Sequence, residues 1–163
     1  MEQTIRDHAL EPLDALVGEW RMEAGPPDGP LWPGEARVRF EWLEGGKFLI
    51  QRWTVDLPEA PDGIAIIGLR DAPASAEAVA EGLADTGAPY RQHYFDSRGV
   101  YRVYEMTLAG GEWRLWRDSL DPFAQRFTGT FGDSGRTITA RWELAEDGST
   151  WRTDFDLTYR KLR

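Results

Sequence analysis

The sequence predicts an all-β fold: a closed antiparallel up-and-down barrel of about 8–10 strands, with a short N-terminal helix and a helical insert near residues 74–84. Three observations carry this. Short segments rich in Val, Ile, Thr, Trp, Tyr and Phe recur along the chain, which is the composition of strands. The separators "EGGK", "DSRG", "AGGE", "GDSG" and "EDGS" are Gly-rich turns of the length that joins antiparallel neighbours. A flat open sheet of so many strands would be strained, whereas closure into a barrel removes its exposed edges.

The elements follow in order. "HALEPLDALVGEW" places Leu10, Leu13, Leu16 and Val17 at a spacing that suits a short helix packed on something larger, and Gly18 stops it. Strands are expected at 18–24, 35–43, 47–56, 63–70, 89–96, 99–108, 112–118, 123–131, 136–144 and 150–160. "AGPPDGPLWPG" (24–34) is a Pro/Gly loop suited to a flap at the barrel mouth. "APASAEAVAEGLADTGAP" (72–89) is Ala-rich, and Ser75 is placed to cap a helix ending near Gly82. That insert reads equally as a lid or as a solvent-exposed excursion without a role.

Composition bounds the rest. The 163 residues fit one domain spanning 1–163, and a domain of this size buries about 70% of its unfolded surface. Eight Trp and 41% hydrophobic residues supply enough apolar bulk to offset chain entropy. The formal charge of −9 repels phosphates and anionic headgroups, so neither nucleic acid nor membrane is expected as a partner. Lys47 and Lys161 are the sole lysines, so nearly every cation is a planar Arg fork, a good anion donor. Without Cys, and with only His8 and His93, neither a metal site nor another cofactor is expected. No apolar run reaches membrane-span length and "MEQTIRDHALEPLD" lacks a signal-peptide pattern, so the expected location is cytoplasmic. A homodimer is compatible with all of this.

Strand alternation assigns faces, and each tight turn passes the assignment to the next strand. Across "EGGK", Val38, Phe40, Trp42, Leu49, Gln51, Trp53 and Val55 share the inner face. The last two hairpins put Gln125, Phe127, Ile138, Trp142, Phe155, Leu157 and Tyr159 inside, with Asp154 and Asp156 outside. With "DSRG" as a four-residue turn, Phe95 pairs with Val100, His93 with Arg102 and Arg91 with Tyr104. The inner face then carries Arg91, His93, Arg102, Tyr104 and Arg117, a polar island with no inward carboxylate to pair with it. Two placements fit the island: inside the lumen, or at the rim where long Arg side chains reach water.

These residues resemble a known group. "LVGEW" (16–20), a short helix running into a Gly-x-Trp, is similar to the opening of calycin-superfamily barrels: lipocalins, fatty-acid-binding proteins and nitrobindins. "FEWLEGGKFLIQRW", "HYFDSRGVYRVYEM", "QRFTGTF" and "EDGSTWRTDFDLTYRK" resemble a bacterial lipocalin-like family of unknown function. The resemblance covers nearly the whole chain after residue 10, apart from the 72–89 insert. It implies Trp20 at a closed end and a small apolar ligand within. Haem of the nitrobindin type would require an axial His near the C-terminal strands, and none follows His93.

The expected function is binding of a small hydrophobic, anionic ligand in the lumen. Arg91, His93, Arg102, Tyr104 and Arg117 would hold its head, and Gln51, Gln125, Trp53 and Trp142 would complete the pocket. The alternative is an enzyme with His93 as acid or base, Tyr104 as proton donor and Arg102 on an oxyanion.

Overall fold

The computed structural model describes residues 8–70 and 88–163. Ten strands make up the barrel: β1 Gly18–Gly25, β2 Ala36–Trp42, β3 Leu49–Val55, β4 Gly63–Leu69, β5 Tyr90–Asp96, β6 Tyr101–Ala109, β7 Glu112–Arg117, β8 Ala124–Gly132, β9 Thr137–Ala145 and β10 Arg152–Lys161. Each pairs antiparallel with the next in sequence, and β1 pairs with β10, so the sheet closes on itself as the up-and-down barrel the sequence predicts. No edge is left open to a stray strand. The expected insert helix near 74–84 lies outside the described residues. Its flanks do not: Leu69 pairs with Tyr90 at the plugged end of the barrel.

That end is sealed by a short helix of the 3-10 type, His8–Ala15. Pro12 within it denies the regular backbone bond of a longer α-helix. Leu10, Leu13 and Leu16 go inward with Trp20, all essentially without solvent contact. Three polar contacts fix this plug: Trp20 Nε1 donates to the Leu16 carbonyl at 2.8 Å, Tyr90 to the Ala9 carbonyl at 2.6 Å, and Trp42 Nε1 to Asp14 at 2.9 Å. Gly18 has a function here beyond stopping the helix. Its φ is +132°, and a Cβ would run into the Arg163 carbonyl, whose oxygen accepts from the Glu19 N–H at 2.7 Å.

Two of the inferred registers hold residue for residue. Across "EGGK", Phe40 meets Gln51 and Val38 meets Trp53; across "AGGE", Leu108 meets Trp113 and Met106 meets Leu115. The "DSRG" register does not hold. Tyr94 pairs with Arg102, Gln92 with Tyr104 and His93 with Val103, one residue away from expectation. The loop has three residues, Ser97-Arg98-Gly99, because Asp96 remains in the ladder and donates its N–H to the Val100 carbonyl at 3.1 Å. Gly99, at φ +85°, takes the left-handed position that such loops require. A one-residue slip exchanges the faces of a strand. Tyr90, Gln92, Tyr94 and Asp96 therefore point inward, and Arg91, His93 and Phe95 point outward.

A second departure lies in β10. The register shifts between Thr153 and Phe155, an irregularity that gives β10 one residue more than β9 there and brings Asp154 to the cavity instead of leaving it outside. Among the described residues no helix is long and apolar enough to cross a membrane.

Candidate functional site

Away from the plug, the barrel encloses a cavity of about 700 Å³. It opens among the loops at the other end, where Trp32, Pro33 and Gly34 of the Pro/Gly loop form part of its wall. Trp32 stands 5.4 Å from Phe155, so that loop packs against one side of the cavity mouth.

Much of the wall is flat and aromatic. Trp53 stacks on Tyr94 at 5.3 Å with an interplanar angle of 28°, and its Nε1 donates to the Pro61 carbonyl at 3.1 Å. Gly63 makes room for that indole, since a Cβ there would occupy the space of the Trp53 ring. Tyr104 lies 5.5 Å from Trp142, and Trp142 lies 5.1 Å from Phe127. Deeper in, the Trp113 Nε1–H is buried with no acceptor among the described residues, with Phe127 edge-on at 4.7 Å and Phe40 and Tyr159 each at 6.0 Å as ring neighbours.

Inside this wall sits a small polar set. Gln51, Gln92 and Gln125 are the buried polar residues among those described. Gln92 Nε2 donates to Gln51 Oε1 at 3.1 Å. Gln125 Oε1 accepts twice, from Arg102 Nη1 at 3.0 Å and from the Tyr104 hydroxyl at 2.8 Å. Burial raises the Tyr104 phenol, opposed by the neighbouring Arg102 guanidinium. Arg102 also lies over the Phe123 ring at 5.2 Å, yet no carboxylate among the described residues forms an ion pair with it.

Three further groups mark the mouth. The Asp96 side chain is wholly enclosed, accepting from Tyr94 at 2.6 Å, from Arg98 Nη2 at 2.7 Å and from the Arg98 backbone N–H at 2.9 Å. Burial would raise this carboxyl, but the bonds from Arg98 and Tyr94 outweigh it and hold the group down at about 2. Tyr94, desolvated and donating to that carboxylate, is pushed well above the ordinary tyrosine range. Asp154 is accessible at the rim, and the protein mass around it still raises its carboxyl, with Arg152 opposing.

Of the residues expected from sequence, Gln51, Trp53, Arg102, Tyr104, Gln125 and Trp142 all line the cavity. Three do not. Arg91, turned outward by the register slip, donates to Glu105 at 3.3 Å on the outer face. His93 shares that face, its Nδ1 3.1 Å from the Tyr101 hydroxyl. Arg117 is bound to the loop before β8, donating to the Phe123 carbonyl at 2.7 Å and the Asp121 carbonyl at 2.9 Å. The predicted trio of His93, Tyr104 and Arg102 is thus divided between the two sides of the sheet. Gln92, Tyr94, Arg98 and Asp154, missed from sequence, belong to the cavity instead. The expected absence of inward carboxylates is overturned by Asp96 and Asp154. Asp96, two residues before Arg98 and three before Gly99, was the signal for a three-residue turn.

No family model and no curated protein matches the chain. Among solved structures, Rv2717c from M. tuberculosis aligns over 98% of this chain and 100% of its own, at 13% identity and a TM-score of 0.55. A de novo designed fluorescence-activating β-barrel aligns over 91% of this chain and 94% of its own, at 13% identity and a TM-score of 0.42. The first likeness shows the barrel fold and nothing finer.

Proposed function

We propose that this barrel binds a small, mostly apolar ligand with an anionic head, held in the lumen. The observation that carries the reading is Arg102: a guanidinium in an aromatic cavity, braced by the neutral Gln125 amide and a ring, with no carboxylate partner among the described residues. A half-buried guanidinium held only by a neutral amide and a ring still lacks its strongest kind of partner, which an anion would supply. A ligand carboxylate or sulfonate would make charge-assisted bonds there while the Trp and Phe wall covers its body.

The sequence resemblance fits this reading, and we place the chain, as one domain over 1–163, with the calycin barrels. The short helix running into Gly18 and Trp20 at the plugged end supports that placement. The cytoplasmic assignment is likewise our reading.

Native mass spectrometry of the purified protein should show a bound small molecule, or uptake of an added naphthalene-sulfonate or fatty-acid probe. The probe should also quench Trp fluorescence. Arg102→Met should weaken it at least about tenfold, equivalent to about 1.4 kcal/mol. Unchanged affinity in a folded variant would remove Arg102 as the anchor, and no uptake of any probe would remove the lumen as a binding site. An enzymatic role for His93 on a lumen substrate finds no support in its outward position.

A further inference from the structure

The hydrogen-bond directions around Gln125 restrict the ligand further. Arginine can only donate, so the Gln125 atom that Arg102 Nη1 meets at 3.0 Å has to be the amide oxygen. Tyr104, protonated in its buried position, donates to the same oxygen at 2.8 Å. Both lone pairs of that oxygen are then used. The amide NH₂ of Gln125 is left with no protein acceptor among the described residues, in a side chain that lines the cavity. Arg102 keeps further N–H groups beyond the one given to Gln125.

The neighbouring amide pair does not alter this balance. Whichever way round Gln51 and Gln92 bond, one NH₂ and one carbonyl remain between them. The Arg102 and Gln125 side chains, by contrast, have only donors left over. Two donor groups on adjacent side chains suit a head with two acceptor oxygens.

The wall restricts the body. Of the residues lining the cavity ten are aromatic, whereas six are Met, Val or Leu. A rigid ring system gains stacking and edge contacts on such a wall beyond its buried area. A flexible alkyl chain gains area only, and gives up rotamer freedom when it is held.

We infer that the ligand is a flat aromatic acid, its two acid oxygens on Arg102 and the Gln125 amide and its rings on the Trp53–Tyr94 and Tyr104–Trp142 surfaces. The inference rests on the lumen-binding reading and adds to it the ring body and the donor pair.

Three probes separate the terms in titrations of the full chain followed by Trp fluorescence and calorimetry: 2-naphthoate, the neutral 2-naphthamide with the same rings, and undecanoate with the same number of carbons as naphthoate. Naphthoate should bind at least about tenfold more tightly than either of the others. Gln125→Glu keeps the side-chain length but replaces the donor with a carboxylate beside Arg102. It should weaken naphthoate at least about tenfold and change naphthamide less than about threefold. Undecanoate binding as tightly as naphthoate in the unaltered protein overturns the aromatic body, and that measurement needs no variant to fold. Naphthoate preference surviving in a folded Gln125→Glu protein overturns the donor pair. Failure of all three probes to bind the unaltered protein overturns the lumen-binding reading, and this inference with it.

Discussion

Asp96→Asn removes one charge from the hairpin at the cavity mouth and leaves the side chain almost the same size. The carboxylate has no solvent-exposed surface and receives hydrogen bonds from Tyr94 and, through both its side chain and its backbone, from Arg98. Its pKa is lowered from an ordinary 3.8 to about 2, the bonds prevailing over the burial that would raise it. A drop of about 1.8 pH units corresponds to about 2.4 kcal/mol of native-state stabilisation. Arg98 is 57% exposed, so water screens the ion pair and about 1–2 kcal/mol is the better expectation.

The pH dependence separates this charge effect from simple loss of packing. Because the folded carboxyl titrates below the unfolded one, its stabilisation is complete above the unfolded value and is lost as pH falls through the folded value. Urea unfolding should therefore place the Asn variant about 1–2 kcal/mol below the parent at pH 7, with about half that gap left at pH 3. A gap of the same size at both pH values would show that the charge is not what stabilises the hairpin. No gap at pH 7 would refute the buried-carboxylate reasoning outright.

Other substitutions test other parts of the structure. Trp20→Ala empties the centre of the plug and should cost about 3–5 kcal/mol in the same unfolding assay, while a loss below about 1 kcal/mol would mean the plug is not packed as described. Asp154, whose carboxyl is raised by the protein mass around it at the rim, favours its protonated form in the native state. That contribution is present at low pH and disappears as pH rises through the raised value, so Asp154→Asn should stabilise the protein at pH 7, with the advantage shrinking as pH falls through the raised value and gone below the ordinary 3.8; destabilisation at pH 7 would contradict it. Gly99→Ala places a Cβ in open space at φ +85°, so its cost of about 1 kcal/mol should come from the backbone alone, and Gly99→Asn should recover part of it. Equal thermal midpoints for all three residues would argue against the left-handed turn position.

The sequence carried the barrel well because most of its strands take sides unambiguously. In β2 and β3, Val38, Phe40, Leu49 and Trp53 oppose Arg37, Arg39, Arg52 and Thr54, so a one-residue slip would bury charge. In β5 nothing decides. Tyr90, Gln92 and Tyr94 on one face balance Arg91, His93 and Phe95 on the other, so the assignment rested on the turn length alone. Counting Asp96 as a turn residue instead of the last ladder residue reversed the strand. The Asp154 irregularity was hidden for a different reason: no Gly or Pro marks it, and Thr153 and Phe155 look like ordinary alternating residues on either side.

That reversal changes the charge logic of the lumen more than its shape. Three inward arginines and a histidine would have needed several counterions or a fully wet interior. In the structure each is dealt with separately: Arg91 meets Glu105 on the outer face, Arg117 holds backbone carbonyls of the loop before β8, and Arg98, unforeseen, meets Asp96. Arg102 is left, bonded to Gln125 and set over Phe123. One guanidinium with neutral partners is a penalty a barrel can carry without a ligand, because the amide and ring partly solvate it. It is also the arrangement in which a single anion gains most on binding, since among the described residues no carboxylate has to be displaced from it.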